Sequence, residues 1–486
     1  MQRRNFLATL AGAPAFLRGQ TRRPNILFVM TDDQRHDAMS CAGNRWLKTP
    51  HMDRLAAEGV RFTEGFVTNA LCTPSRATVL TGQYSHTHGV TSNARGSNAF
   101  RPDQVTFPML LQKAGYFTAV VGKWHIASNP TGFDQWCILP GQGLYHNPVM
   151  IANGGRVQMR GHCEDVVGDQ ALETLKSRPK DKPFCLLYQF KAPHRAWEPS
   201  ERHARLYEDV TFPHPPTFDV GLDDRPRAIR ESDMQIADMP DFAQRGVPAH
   251  LSREERKKLN YQVFLRNYYR VLNGVDENLG RVLDYLDQNG LAENTLVIYT
   301  SDNGFFHGEY GMFDKRFMYE PSIRVPMLVR YPGAVQPRVD SRHMVLNNDV
   351  AHTVLDYAGV ARPEWMEHHG ASWRPLLEGR SAPWRDAWMY EYFEYPAVHC
   401  AGKMRGVRTD RWKLIHYIQN PQGHELFDLQ TDPEERRNLY DVPEHRAKAA
   451  EMQARLERFR DLLKDDRSED GAPMQECGNR MAPLRR

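Results

Sequence analysis

Cys72 is the side chain in this sequence whose neighbours most strongly suggest chemistry. It opens the segment Cys72-Thr73-Pro74-Ser75-Arg76, and Leu80-Thr81-Gly82 follows shortly after it. A loop-to-helix junction at this point would offer backbone N–H groups and the positive end of a helix dipole to an anionic substrate. A thiolate is a soft nucleophile and a soft metal ligand, so unmodified Cys72 is poorly suited to attack an ester held by a hard cation. The alternative is a buried and inert cysteine, which is the usual state of a free thiol.

Two pairs of oxygen-bearing residues follow runs that we predict to be buried strands. Asp32 and Asp33 follow residues 24–30 after Thr31, while Asp302 and Asn303 follow residues 295–300 after Ser301. Carboxylate and amide oxygens suit hard cations such as Ca²⁺ or Mg²⁺ and suit Zn²⁺ poorly. Either pair alone could be a turn or a helix cap. Their shared position after buried strands, on either side of Cys72 in the sequence, predicts a cation site.

Four basic side chains are candidates for anion binding and proton transfer. Lys123 and His125 are separated by one residue and would project to the same side of an extended segment. His194 lies in a predicted loop, and Lys315 lies in a short run of charged residues. Each has a simpler explanation, as an exposed lysine, a satisfied histidine or part of a solvated charge cluster.

The elements that would position these residues alternate between buried strands and helices. An unbroken apolar run of strand length, typical of a parallel sheet covered on both faces, occurs at residues 24–30, and residues 183–190 and 295–300 look like further buried strands. Helical patterns occur at residues 49–58 and 256–288, and a helix followed by a strand at residues 106–121. This alternation indicates an α/β sandwich, in which ligands bind at the carboxyl ends of the strands.

The sequence changes character from about residue 388. Residues 406–417 predict a hairpin, and the apolar spacing from Met452 to Leu463 predicts a helix that packs on it. Earlier, residues 211–255 are rich in proline and charge, which indicates a long loop at a site rim or a disordered insertion.

The sequence Cys-x-Pro-x-Arg at residues 72–76, with Leu80-Thr81-Gly82, resembles the maturation signal of type I sulfatases. The resemblance extends from Pro24 to about Tyr440. It implies an alkaline phosphatase-like fold of the α/β class, with a large mixed, mostly parallel sheet sandwiched by helices and a small C-terminal antiparallel-sheet subdomain. It also implies a sulfuric ester hydrolase. In that family a maturation enzyme oxidises the cysteine, here Cys72, to formylglycine (3-oxoalanine), whose hydrate supplies the nucleophilic oxygen.

The same resemblance assigns roles to the other site residues. One Ca²⁺ would be held by Asp32, Asp33, Asp302, Asn303 and an oxygen of the modified Cys72. The remaining catalytic residues would be Arg76, Lys123, His125, His194 and Lys315. In this scheme Lys123 and His125 contact the sulfate and the hydrate, and His194 or Lys315 protonates the leaving alcohol. Arg76 would hold the hydrate by charge-assisted hydrogen bonds.

The predicted domain organisation begins with a twin-arginine signal peptide at residues 1–20, which contains Arg3-Arg4 and an apolar run too short to span a membrane. A catalytic domain at residues 21–387, a C-terminal subdomain at residues 388–465 and a loosely held polar tail at residues 466–486 follow. Twin-arginine export carries folded proteins, so the cysteine could be oxidised before export. We therefore expect a periplasmic or secreted enzyme without a membrane span.

Composition excludes some partners and leaves disulfide pairing open. With 63 basic and 60 acidic residues the net charge is +3, which gives no bulk signal for binding nucleic acid. The seven cysteines are spread singly without a Cys-x-x-Cys pair, so zinc-ribbon and disulfide-scaffold interpretations are weak.

The substrate is suggested by a closer resemblance. Residues 139–143, 191–195, 312–320 and 395–399 look like segments of bacterial sulfatases that act on N-acetylglucosamine-6-sulfate in glycosaminoglycan or mucin-type glycans. Arg195 and His399 would then be candidates for sugar contacts at the rim, although both could be ordinary surface residues.

Three alternatives remain open on sequence alone. The substrate could be another sulfated sugar or an aryl sulfate. The enzyme could be a phosphatase or phosphodiesterase of the same superfold, although that class would use a Ser or Thr nucleophile and histidine-rich zinc sites. The chain could also be an exported, non-catalytic glycan-binding protein whose Cys72 is never converted.

Overall fold

The computed structural model describes residues 23–239, 241, 248 and 250–477, so the predicted signal peptide lies outside the described residues. The strands are β1 (Asn25–Thr31), β2 (Val60–Phe62), β3 (Gly65–Phe66), β4 (Phe117–Lys123), β5 (Gln135–Leu139), β6 (Val149–Ala152), β7 (Gly155–Gln158), β8 (Phe184–Gln189), β9 (Thr295–Ser301), β10 (Met327–Arg330), β11 (Arg338–Asp340), β12 (Val345–Leu346), β13 (Ala387–Tyr392), β14 (Met404–Thr409), β15 (Trp412–Tyr417) and β16 (Gly423–Asp428). The α-helices are α1 (Pro50–Ala57), α2 (Cys72–Thr81), α3 (Ser85–His88), α4 (Phe107–Lys113), α5 (Cys163–Ser177), α6 (Arg227–Arg230), α7 (Arg253–Gln288), α8 (Glu320–Ile323), α9 (Asp349–Ala358), α10 (Arg374–Leu377) and α11 (Arg446–Leu462).

Ten strands form one mixed sheet in the order β11-β2-β10-β9-β1-β8-β4-β5-β6-β7. The strands from β9 to β5 in this order run parallel, and they are flanked by the antiparallel neighbours β10 and β6. Every residue of β1, β8 and β9 is buried, as expected for strands covered by helices on both faces. The predicted α/β fold with a mixed, mostly parallel sheet is confirmed.

The sheet separates two hydrophobic cores because successive side chains of a strand point to opposite faces. In β1, Ile26 and Phe28 join one core, while Leu27 and Val29 join the other. The second core is closed by α7, which begins with a capping box between Ser252 and Glu255. Because β1 pairs in parallel with both β8 and β9, the carboxyl ends of these three strands meet at one edge of the sheet.

The C-terminal part forms a second, four-stranded antiparallel sheet, β13-β14-β15-β16, on which α11 packs. Met452 and Leu456 of α11 share a core with Val407 and Leu414 of the predicted hairpin. The small antiparallel-sheet subdomain is confirmed, whereas its exact boundary at residues 387/388 stays a prediction.

The described part of the tail, residues 466–477, is held against this sheet, which differs from the loose tail we expected. Arg460 pairs with Asp470, the backbone N–H of Asn420 donates to the carbonyl of Ala472 at 2.9 Å, and Cys477 forms a disulfide with Cys400. Among the described residues, no helix is both long and apolar enough to cross a membrane.

Candidate active site around Cys72

Cys72 is the first residue of α2, and Leu71 before it is extended. The side chain is fully buried, and its Sγ lies 3.5 Å from Oδ1 of Asp32. Burial raises the pKa of the Cys72 thiol well above its ordinary value. An unmodified Cys72 is therefore a neutral thiol at this position, which is a poor nucleophile.

The oxygen-bearing residues meet at the adjacent ends of β1 and β9. These strands are parallel neighbours, with Thr31 opposite Ser301, so the residues that follow them emerge side by side. Asp32, Asp33 and Asp302 each offer a carboxylate oxygen within 4.8 Å of the others. The backbone N–H of Asp33 also donates to Oδ1 of Asp302 at 3.1 Å.

The donor atoms of this group fit a hard divalent cation. Oδ2 of Asp33 and Oδ1 of Asn303 are buried without a hydrogen-bond partner, which is costly unless a ligand satisfies them. Burial, together with Asp302, raises the pKa of Asp33 to about 6. Asp33 also adopts a left-handed backbone at φ 70°, a conformation that functional sites often retain. Carboxylate and amide oxygens in this arrangement match the preference of Ca²⁺.

Arg76 lies one helical turn after Cys72 and is almost completely buried. Its Nε donates to Oδ2 of Asp302 at 2.9 Å, and its Nη2 donates to Oδ2 of Asp32 at 3.4 Å. Its Nη1 donates to the carbonyl of Lys123 at 2.6 Å and to Oε1 of Gln189 at 3.2 Å. Arg76 therefore ties together the ends of four parallel strands, and its predicted contact with the hydrate stays a prediction.

Lys123 and His125 each contact a neighbour of Cys72, which is Asp32 for Lys123 and Thr73 for His125. Lys123 ends β4, is fully buried, and pairs through Nζ with Oδ2 of Asp32. His125 has a left-handed backbone at φ 60°, and its Nδ1 lies 3.3 Å from Oγ1 of Thr73. Burial, with the nearby charge of Lys123, lowers the pKa of His125 well below its ordinary value. The result is a neutral imidazole that can accept a proton.

His194 and Lys315 reach the site from two other loops. Nδ1 of His194 is 2.7 Å from the carbonyl of Arg195, so this nitrogen carries the hydrogen and Nε2 faces Oδ2 of Asp33 at 3.9 Å. Asp32, Cys72 and His194 bring their functional atoms within 4.8 Å of one another. Nζ of Lys315 donates to Oδ1 of Asp33 at 2.5 Å. The structure thus brings together all the catalytic and metal-binding residues that the sequence suggested.

The two rim candidates also meet, but they are not simple surface residues. His399 is only 1% exposed, and its ring nitrogens lie 3.1 Å from carboxylates of Asp233 and Asp314. Nη1 of Arg195 lies 3.5 Å from Nε2 of His399, and the guanidinium pairs with Asp241. Because Asp314 immediately precedes Lys315, this charged cluster adjoins the candidate catalytic residues.

Sequence reasoning missed two polar partners of the site. Gln189 ends β8 and accepts from Arg76, and Gln142 accepts from Nζ of Lys123 at 2.5 Å. Gln189 could have been found, because it is the last polar residue of a predicted central strand. Gln142 lies in a loop, and its approach to Lys123 has no signal in the local sequence.

Comparison with known proteins agrees with this geometry. The Sulfatase family model matches residues 24–360, and the model for the C-terminal region of N-sulphoglucosamine sulphohydrolase matches residues 308–462. An N-acetylglucosamine-6-O-sulfatase of Bacteroides thetaiotaomicron is 40% identical over 92% of this chain and 88% of its own length. The human N-acetylglucosamine-6-sulfatase is 29% identical over 76% of this chain and 68% of its own length.

A solved structure in complex with its substrate, D-glucosamine-2-N,6-O-disulfate, superposes with a TM-score of 0.85. It is 39% identical and covers 92% of this chain and 99% of its own. The family match, the sequence similarity over most of the chain and the fold all agree. The chain therefore belongs to the sulfatase family and is a sulfuric ester hydrolase.

Proposed function

We propose that this sulfatase removes the 6-O-sulfate from N-acetylglucosamine units of a glycosaminoglycan or mucin-type glycan. The bacterial relative named for this activity is similar over 92% of this chain. The substrate in the similar solved structure is a 6-O-sulfated glucosamine. The observation that carries the proposal is the enclosure of Cys72 by Asp32 and His194 within a set of buried carboxylates and basic residues.

The nucleophile in this proposal is formylglycine made from Cys72 by a maturation enzyme. The high pKa of the thiol argues against direct attack by sulfur. A hydrate at residue 72 would place an oxygen near the position of Sγ, close to Asp32. The partnerless oxygens of Asp33 and Asn303 support a single Ca²⁺, held with Asp32 and Asp302. When bound, Ca²⁺ supplies positive charge for the sulfate and favours ionisation of the hydrate.

The geometry of the surrounding residues suggests which of them binds the sulfate and which accepts the hydrate proton. Lys123 offers a hydrogen-bond donor to sulfate oxygens from beside Asp32, although burial lowers the pKa of its amine well below the ordinary value. His125, neutral and adjacent to Thr73, is suited to accept the hydrate proton that must leave before sulfate departs.

Lys315 is the better candidate to donate to the oxygen of the leaving alcohol. Its ammonium donates in any orientation, whereas Nδ1 of His194 carries the ring hydrogen and Nε2 of His194 faces the site as an acceptor. We therefore assign donation to the bridging oxygen to Lys315, and we assign His194, whose Nε2 accepts, to a hydroxyl of the Cys72-derived hydrate.

On the sugar side, Arg195 is the candidate for direct contact with substrate. The ring of His399 already lies between Asp233 and Asp314, so we assign it to orientation of its neighbours. This division revises the equal roles that the sequence suggested for the two residues.

The experiment is sulfate release from a substrate panel by purified, converted enzyme. The panel contains N-acetylglucosamine-6-sulfate, 2-O-sulfated and N-sulfated disaccharides, an aryl sulfate and a phosphate monoester. We expect the highest kcat/KM on the 6-O-sulfate and its complete loss in Cys72→Ala. The control is Cys185→Ala, which removes an equally buried free thiol from β8. A higher kcat/KM on another panel member would refute the proposed substrate. Full activity of Cys72→Ala would refute the assignment of residue 72 as the nucleophile.

We also propose twin-arginine export to the periplasm or beyond, from residues 1–20, and a domain boundary near residue 388. The Arg3-Arg4 pair and the position of β13 support these two assignments. Cell fractionation of an Arg3→Lys, Arg4→Lys variant tests the first, since it should remain inside the cell. Limited proteolysis between residues 380 and 390 tests the second.

A further inference from the structure

Residues 397–401, here called the rim turn, hold two consecutive non-glycine residues in the left-handed region. His399 has φ 72° and Cys400 has φ 52°. Such residues are unfavourable unless the surrounding structure holds them. Val398, directly before them, is 50% exposed, so the rim turn is not fixed by burial along its whole length.

Two sets of contacts hold the rim turn from opposite sides. On the active-site side, Asp233 and Asp314 bind the ring of His399, and the backbone N–H of Asp233 donates to its carbonyl at 3.2 Å. On the other side, Cys400 is joined to Cys477 by a disulfide that spans 77 residues of sequence.

The segment that carries Cys477 is anchored to the chain just after β15, where the backbone N–H of Gly471 donates to the carbonyl of Ile418 at 2.7 Å. Tyr395 donates through its hydroxyl to the carbonyl of Gln475 at 2.6 Å, and the N–H of Met474 donates to the carbonyl of Asn420 at 3.1 Å. Residues 475 and 476 are exposed. The disulfide is therefore the covalent element that fixes the end of this segment to the rim turn.

The rim turn is connected to the reacting groups through side chains in contact. His399 contacts Asp314, whose carboxylate accepts from the backbone N–H of Lys315 at 2.8 Å. Lys315 in turn contacts Asp33. Nη1 of Arg195, the candidate for sugar contact, lies 3.5 Å from Nε2 of His399. A shift of the rim turn would therefore move groups beside the leaving alcohol while the sulfate-side residues on α2 and β4 keep their places.

We propose that Cys477, through its disulfide with Cys400, is a positioning residue for the sugar-binding side of the active site. It holds His399 in the orientation that sets Asp314 and Arg195. The inference rests on the proposed function in requiring that the natural substrate carry a sugar. Loss of the disulfide should raise KM for the sugar sulfate by about tenfold, since small misplacements of positioning groups are costly. Hydrolysis of a small aryl sulfate should change by less than about twofold, because its leaving group carries no sugar and is acidic enough to need little donation from Lys315.

The test compares Cys477→Ser with the wild-type enzyme and with Cys41→Ser, which removes an unpaired, partly exposed cysteine. Kinetics on N-acetylglucosamine-6-sulfate and on an aryl sulfate are measured for all three. Peptide mapping without reduction establishes the link between residues 400 and 477. Treatment of the wild type with a dithiol should reproduce the kinetics of Cys477→Ser. The dithiol closes to its cyclic disulfide, and two electrons and two protons pass to Cys400 and Cys477. The same treatment should leave Cys477→Ser unchanged.

Hydrogen exchange of residues 396–402 gives a readout that does not depend on activity, and exchange should be faster in Cys477→Ser. If the wild type contains the disulfide and Cys477→Ser has an unchanged KM for N-acetylglucosamine-6-sulfate, the proposal is overturned. Equal losses on both substrates, or absence of the link in wild type, would also overturn it. If the wild type prefers another sugar sulfate, the proposed function fails, and the same comparison on that sugar still decides the role of Cys477.

Discussion

His86 provides a prediction whose size follows from its contacts. This residue of α3 connects the catalytic part of the chain to the C-terminal subdomain. Its Nδ1 lies 2.6 Å from Oε2 of Glu391 in β13, and its Nε2 lies 2.9 Å from the carbonyl of Leu463 just after α11. Both ring nitrogens face acceptors, so the arrangement is complete only when the ring is an imidazolium.

The expected stabilisation is worked from the pKa of this ring. Burial alone would lower the pKa of His86, but Glu391 and the Leu463 carbonyl raise it to about 9 from the ordinary 6.5. A shift of about 2.5 units corresponds to about 3 kcal/mol of folding free energy. Because the folded pKa is the higher one, this contribution is fully present below pH 6.5. It is lost as pH rises from 6.5 through about 9.

The measurement is thermal unfolding of wild type and His86→Gln between pH 6 and pH 10. An unfolding entropy of about 2.1 cal/mol/K per residue over 486 residues gives about 1 kcal/mol/K, so 3 kcal/mol corresponds to about 3 °C in Tm. The Tm difference between the two proteins should shrink by this amount between pH 6 and pH 10. His146→Gln, which alters an exposed histidine, is the matched control. If the Tm difference between wild type and His86→Gln does not depend on pH, the His86 ring is not an imidazolium in the folded protein and the reasoning is wrong.

Three further predictions concern the core and the site. Leu456→Ala, within the core beneath α11, should lower the unfolding free energy by about 2–5 kcal/mol, while Leu462→Ala on the exposed side should leave the Tm unchanged. A chelator should abolish sulfate release and added Ca²⁺ should restore it; Asp302→Asn should weaken Ca²⁺ binding, measured by calorimetry, by at least about tenfold. Arg76→Lys cannot reach the ends of four strands at once, so kcat/KM should fall by about 100-fold in a steady-state assay.

Much of the fold could be predicted from the sequence because its strongest patterns are also its most buried elements. The apolar run at residues 24–30 became β1, and the long periodic pattern at residues 256–288 became α7, which starts three residues earlier at its capping box. The edge strands β6 and β7 were not predicted. They are short, and β7 is exposed throughout, so burial leaves no pattern in their sequences.

The candidate site was predicted to a similar extent and for a related reason. Asp32 and Asp302 could be placed together because parallel strands bring their carboxyl ends to one edge of the sheet. The contacts of Arg195 with Asp241 and of His399 with Asp314 could not be predicted, since they join loops far apart in sequence. The Cys400–Cys477 disulfide could not be predicted for the same reason, because the pairing of dispersed cysteines depends on tertiary structure.

The chemical identity of residue 72 in active enzyme tests the central claim most directly. The measurement is mass spectrometry of the peptide that contains residue 72, made on preparations with and without a co-expressed maturation enzyme. We expect the aldehyde mass in a fraction of molecules that rises in proportion to specific activity on N-acetylglucosamine-6-sulfate. A fully active preparation in which residue 72 remains an unmodified thiol would contradict the proposed nucleophile.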